Sequence, residues 1–133
     1  MKYKIYFTLP AVIIAIILFF LSAQSELPHI DFGFVWSDKV EHIIAYFGYG
    51  LSLIFAVFGN STDIKLKKGI IIVLIIGGLF GASDELHQLY VPGRDCSFFD
   101  WLADVIGISL SLPLINIIKK LFIFRIIKNQ KLN

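Results

Sequence analysis

Residues 69–89 read GIIIVLIIGGLFGASDELHQL. From Gly69 to Ala82 no side chain carries a charge or a hydrogen-bonding group; then Ser83, Asp84, Glu85, His87 and Gln88 follow in close succession. A helix crosses the hydrocarbon of a bilayer with roughly 20 apolar residues. This segment has that length and no period of two, so it reads as a membrane-spanning helix with one polar end and not as a barrel strand.

Three further stretches have the same character. Ile5 to Ala23 is broken only by Thr8, Pro10 and Ser22. Residues 41–58 are apolar from Ile43 onward and are entered through Asp38-Lys39-Val40-Glu41-His42. Phe98 to Ile118 carries Asp100, Asp104 and Pro113, a proline that neighbouring helices can accommodate as a kink. The links are short, with Pro28 and Gly33, then Gly59-Asn60-Ser61, then Val91-Pro92-Gly93-Arg94 as breakers. The expected fold is an all-α integral membrane bundle of four transmembrane helices, spanning about 5–23, 41–58, 69–89 and 98–118, in one domain over residues 1–133.

Composition agrees. The chain is 57% hydrophobic and only 17% charged, with a mean hydropathy of +0.80. A soluble domain carries about a quarter charged residues, so this chain cannot cover a water-facing surface. A net charge of +2 spread between apolar runs builds no nucleic-acid face. One cysteine, Cys96, excludes a disulfide scaffold and a four-cysteine zinc site.

Four spans place Lys2, Lys4, Lys65, Lys67, Lys68, Lys119, Lys120, Arg125, Lys128 and Lys131 on one side, and only Lys39 and Arg94 on the other. Positive residues stay in the cytoplasm, so both termini are expected there. The acids divide the opposite way, with Asp63 alone inside. Lys2, Lys4 and the apolar run after them resemble a signal peptide, but the run is long for one and Leu21 is a poor residue before a cut, so an uncleaved helix is expected. The tail Leu121 to Asn133 is expected to prolong helix four or lie at the inner interface.

At about 100° per residue, Asp38, His42, Tyr46 and Tyr49 share one side of helix two, and Gly77, Gly81, Asp84 and Gln88 one side of helix three. Ser97, Asp100, Asp104, Gly107 and Ser111 share one side of helix four. Small residues let backbones approach and polar groups bond across the contact, so these faces are expected to meet at the outer end of the bundle. Glu85, a step around the helix from Asp84, is expected at the periphery or paired with Lys39 or Arg94.

Each piece has a plain structural role. Asp38 with Glu41 reads as a capping-box-like start of helix two. Asp100 suits the first turn of helix four, where the dipole favours carboxylates. Trp36, Tyr90 and Trp101 read as interfacial anchors, and His29 and Asp31 as solvated loop. The ensemble is harder to explain by structure alone. Asp38, Glu41, Asp84, Glu85, Asp95, Asp100 and Asp104 gather near two fixed cations. So many carboxyls in one place must share protons or attract a cation, which marks a functional site.

At these residues the sequence resembles the VanZ-like family of bacterial membrane proteins, named for a teicoplanin-resistance protein. The matching pieces are Ser22-x-Gln24-Ser25, then D-K-x-x-H at Asp38, Lys39 and His42 with Tyr46 following. D-E-x-H-Q at Asp84, Glu85, His87 and Gln88 comes next, then P-G-R at Pro92 to Arg94, then Asp100, Asp104 and Gly107. Asp104 departs from the Asn common in relatives, and Ser111 from a second Gly. The resemblance implies a multi-pass protein of the bacterial inner membrane and, for some relatives, lowered susceptibility to lipoglycopeptide antibiotics. It supplies no reaction.

The chemistry therefore has to come from the residues. The ligand-binding candidates are Asp38, His42, Tyr46, Asp84, Gln88, Arg94, Asp100 and Asp104. An enzyme acting on an outer-leaflet amphiphile would use His42 or His87 as general base or acid, oriented by Asp84 or Asp100. Arg94 would hold an anionic head group in a bidentate grip, or fold over the cluster and neutralise Asp84 or Asp100. No G-x-S-x-G is present, and neither Ser83 nor Cys96 has a base at a suitable spacing. No cofactor is expected. A divalent metal on His42, His87 and two carboxylates is a subordinate alternative, without an H-E-x-x-H to support it. The rival to an enzyme is a binding or shielding protein for a membrane lipid, a lipid-linked envelope molecule or a lipoglycopeptide. A small transporter or proton relay ranks third, because the polar stripes fade toward the cytoplasm.

Overall fold

The computed structural model describes residues 2–25, 33, 35–61 and 63–120. Four long helices form an all-helical bundle: α1 Lys2–Ser22, α2 Ser37–Asn60, α3 Leu66–Gln88 and α4 Phe98–Ser111. A 3₁₀ turn at Leu112–Leu114 follows α4, and helix resumes through Lys120. That turn falls at Pro113, which has no N–H for the α-helical ladder. All four helices, the last taken as Phe98–Lys120, are long and apolar enough to cross a membrane. Residues 26–32 and the tail from 121 lie outside the described residues, and with them Pro28, His29, Asp31 and the expected interfacial tail.

The four spans agree with those expected, and their starts are corrected by up to four residues. Asp38 does not cap α2. Trp36 holds the cap position without a side-chain bond, and Asp38 lies inside the first turn, its carboxylate on Lys39 Nζ at 2.6 Å. Ser97 caps α4 instead, its hydroxyl accepting the Asp100 amide at 3.3 Å.

α2 is central and packs against α1, α3 and α4, most extensively against α4. Its Tyr46, Tyr49, Leu53, Ile54 and Phe58 meet Val73, Ile108 and Ile115 in the core. α1 packs on α2 and barely on α3, and it leaves Ile5, Tyr6, Ile13, Ile16 and Phe20 exposed. Such a surface suits lipid and not water. The α2–α4 seam is set by small residues. A Cβ on Gly107 would lie 2.4 Å from the Ile43 carbonyl oxygen, and one on Gly50 would lie 2.5 Å from Ser111 Oγ. Short links make the helices alternate in direction. The C-terminal ends of α1 and α3 therefore share one end of the bundle with the N-terminal ends of α2 and α4.

Candidate functional site

That shared end carries the polar residues. On α2, Lys39, His42 and Tyr46 follow at steps of three and four, which puts them on one face. The Lys39 ammonium lies between two carboxylates, 2.6 Å from Asp38 and paired with Asp100 of α4. One turn deeper, His42 Nδ1 bonds Asp104 Oδ1 at 2.8 Å. Asp104 is fully buried. Gly81 of α3 makes room for it, since a Cβ there would approach Asp104 Oδ2 to 3.0 Å. With Asp104 ionised and the imidazole neutral, Nδ1 carries the proton of this bond and Nε2 keeps the lone pair.

α3 contributes to two sides at once. Asp84 accepts from the Ser22 hydroxyl of α1 at 2.6 Å and from the Tyr46 hydroxyl at 3.5 Å. Glu85, expected at the rim or paired with Lys39 or Arg94, is neither among the described residues: only 3% of its surface is exposed, and the Lys39 ammonium is held by Asp38 and Asp100. Glu85 Oε2 accepts the Ser97 amide at 2.9 Å, and its buried Oε1 has no hydrogen-bond partner among the described residues. The reason lies in the position of α3, which touches α1, α2 and α4. A helix with three neighbours buries an arc wide enough for two consecutive residues. Asp84 bonds to α1 and α2, and one oxygen of Glu85 bonds to the cap of α4.

The outcome for the other candidates is mixed. Asp38, His42, Tyr46, Asp84, Gln88, Arg94 and Asp100 all line one polar cavity of about 470 Å³, together with Ser22 and Lys39. Asp104 lies beneath it, holding His42. His87 is a correction: it does not line the cavity, and its ring lies 4.4 Å from that of Phe19, toward α1. Three residues from Asp84 is about 60° short of a full turn, so His87 falls on the flank of the polar arc opposite Glu85, where Phe19 of α1 meets it. Arg94 is a second. Its Nε donates to the Gln24 carbonyl at 3.1 Å, and the cation on Asp100 is Lys39. The turn before it needs a glycine, because Gly93 has φ +82°. Trp101 is a third: its indole N–H reaches inward to the Gly78 carbonyl at 3.0 Å, whereas Trp36 and Tyr90 are exposed at this end. Ser22, Lys39 and Glu85 were missed as site residues. Ser22 and Lys39 stood in the motif pieces, and only the packing shows what they touch.

Beside the polar cavity runs an apolar groove of about 710 Å³ between α1, α2 and α3, lined by Ala15, Phe19, Tyr49, Leu53, Ile76 and Phe80 among others. Aromatic rings join the two. Tyr46 of the cavity lies 6.1 Å from Tyr49 and 6.2 Å from Phe80 of the groove.

A four-helix membrane bundle with a buried acid–histidine cluster at one end defines the class. The chain belongs to the VanZ/LLP1 family, whose model matches residues 6–119. No curated protein and no solved structure matches it.

Proposed function

We propose that the protein binds an envelope amphiphile, its ionic head in the polar cavity and its hydrocarbon in the adjoining groove. The observation that carries this reading is the junction at Tyr46, Tyr49 and Phe80, where a cavity rich in Asp, Lys, His and Arg meets an apolar slot. A membrane lipid or lipid-linked precursor has that two-part chemistry, and so does an acylated glycopeptide. Binding of such a molecule would account for the lowered lipoglycopeptide susceptibility of some relatives. A conducting path fits less well. Below Asp104 the interior is mostly apolar, with Leu53, Ile54, Val73 and Ile108 buried, and the hydroxyls of buried Ser52 and Ser111 are spent on carbonyls of their own helices; an ion path needs polar groups throughout.

Extraction and mass spectrometry of the purified protein tests the reading. An ionic-headed amphiphile should be enriched over bulk membrane lipid, and Ala15→Phe, which fills the groove, should remove it. Lipid indistinguishable from the bulk membrane would sink the proposal. A second, catalytic form is favoured by His42 alone, which lines the cavity and, with Nδ1 held by an ionised Asp104, would offer Nε2 as a base. Lipid and peptidoglycan-precursor profiles of cells with and without the protein separate the two. A consumed or new species that disappears with His42→Gln indicates an enzyme. An unchanged profile with altered antibiotic binding indicates a shield.

The location that fits this role is the bacterial cytoplasmic membrane, with both termini inside and the polar cavity outside, the orientation that the distribution of Lys and Arg favours. Cys96 is exposed in the α3–α4 link and is the chain's one thiol. A membrane-impermeant maleimide should label it in intact spheroplasts. Labelling that requires permeabilisation would reverse the orientation.

A further inference from the structure

His42, Glu85 and Asp100 come from three different helices, and each offers a ligand atom within 4.8 Å of the other two. We propose that these three side chains bind a divalent transition-metal ion, of the Zn²⁺ or Mn²⁺ type, at the edge of the polar cavity, which His42 and Asp100 line.

Four features support the site. One nitrogen and two carboxylate oxygens form a donor set that suits these ions, and two carboxylates match the ion's charge. Ligand atoms around such an ion, each about 2.1 Å from it, lie roughly 3.4 Å apart in a tetrahedron. The three groups therefore need to close by little more than a bond length. The unpartnered Glu85 Oε1 is the second feature. It belongs to a side chain 97% removed from solvent contact, by its 3% exposure, and a buried carboxylate oxygen without a partner is costly unless something else satisfies it. Its sister Oε2 is tied to the Ser97 amide, which fixes the carboxylate with one oxygen to spare. The third feature is Asp104. Metal-bound histidines usually give their other N–H to a carboxylate, which orients the ring and makes its lone pair more basic. Asp104 Oδ1, 2.8 Å from His42 Nδ1, is placed to accept that N–H and leave Nε2 for the ion.

The last feature is Lys39. Its ammonium on Asp100 shows that this carboxylate already recruits a positive charge. Asp38 gives Lys39 a second carboxylate to hold when Asp100 turns to a metal. The site differs from a metal centre on His42 and His87, because His87 lies against Phe19. It stands independently of the amphiphile reading, and it also explains how so acidic a cavity could accept an anionic head group, by placing a divalent cation between them.

The test uses the full-length protein in detergent, stripped with a chelator and then titrated with Mn²⁺ or Zn²⁺ alone. Uptake is followed by loss of the free Mn²⁺ paramagnetic signal and by calorimetry. The expected result is saturable uptake of about one ion per chain, with the melting temperature rising as metal is added. Glu85→Gln keeps the size of the side chain and an acceptor for Ser97, and should weaken uptake at least tenfold, the loss typical of damage to a metal site. Absence of saturable uptake by the native protein overturns the site, whether or not the variant folds. Equal uptake by Glu85→Gln overturns it as well. The amphiphile reading fails separately. Metal uptake without lipid enrichment keeps this site and removes that reading, and lipid enrichment in chelator without metal uptake does the reverse.

Discussion

Gly107→Ala is expected to lower the melting temperature by several degrees, and Gly107→Val to prevent accumulation of the folded protein. The added Cβ would meet the Ile43 carbonyl oxygen at 2.4 Å and the Phe47 nitrogen at 3.0 Å. Both are backbone atoms of α2, so no side chain can rotate away, and α2 and α4 must separate. Overpacking in a tight interior typically costs about 1–3 kcal/mol, and a contact against backbone belongs at the upper end of that range. This seam also carries the His42–Asp104 bond and the Lys39–Asp100 pair, so a separation would open the site. Gly48→Ala is the control. It lies on α2 as well, but a Cβ there would meet nothing within 4 Å. Replacing a helical glycine by alanine in open space stabilises by up to about 1 kcal/mol. Gly48→Ala should therefore melt at or above the native temperature, whereas Gly107→Ala melts below it. Equal melting of the two variants would show that the α2–α4 contact does not depend on Gly107.

The seam was legible in the sequence because helical periodicity is arithmetic. Gly77 and Gly81 on α3, and Asp104, Gly107 and Ser111 on α4, fall on single faces, and in the structure those faces are buried. The four spans were legible for a similar reason, since length and hydropathy decide whether a helix can cross a bilayer. The width of each buried arc was not legible. Angular position around one helix does not say how many neighbours that helix has. Glu85 and His87 lie on either side of the Asp84–Gln88 line, and only the contacts of α3 with α1, α2 and α4 decide that Glu85 turns in while His87 meets Phe19. Trp101 illustrates another limit. Its place near the helix end is common to anchors and to donors that reach inward, and the acceptor, the Gly78 carbonyl, lies on another helix.

Cation pairing was misread for a related reason. Arg94 was the more attractive partner for the acids because its guanidinium forks onto carboxylates and a rigid Pro-Gly turn precedes it. Turn geometry instead points Arg94 at the end of α1, where Nε takes the Gln24 carbonyl. In the sequence Lys39 stands as one of two cations near the acids, open to Glu85 as a partner. Yet it is three residues from His42, the spacing that puts it on the inward face, and α4 brings Asp100 to it.

Lys39→Met is therefore expected to destabilise the protein more than Arg94→Ala, when both are measured in detergent with chelator present. Methionine keeps most of the apolar stem and removes the charge, so the comparison isolates the ammonium. Without it, Asp38 and Asp100 face each other across the mouth of the cavity with no fixed cation between them. Breaking a fully buried pair by removing one partner costs about 3–5 kcal/mol. The Asp38 side chain is 42% exposed and that of Asp100 13%, so water screens part of the loss and about 2 kcal/mol is a reasonable expectation. Lys39→Arg should recover most of this, because it restores the charge at nearly the same reach. Arg94→Ala removes a contact between an exposed side chain and a carbonyl and should cost less than about 1 kcal/mol. If the ranking is reversed, with Arg94→Ala melting far below Lys39→Met, the cation of the cluster is Arg94 and the Lys39 bridge is incidental. Adding Mn²⁺ or Zn²⁺ extends the comparison. A metal at His42, Glu85 and Asp100 would replace the missing ammonium at Asp100, so the deficit of Lys39→Met should shrink as metal is added while that of Gly107→Ala should not.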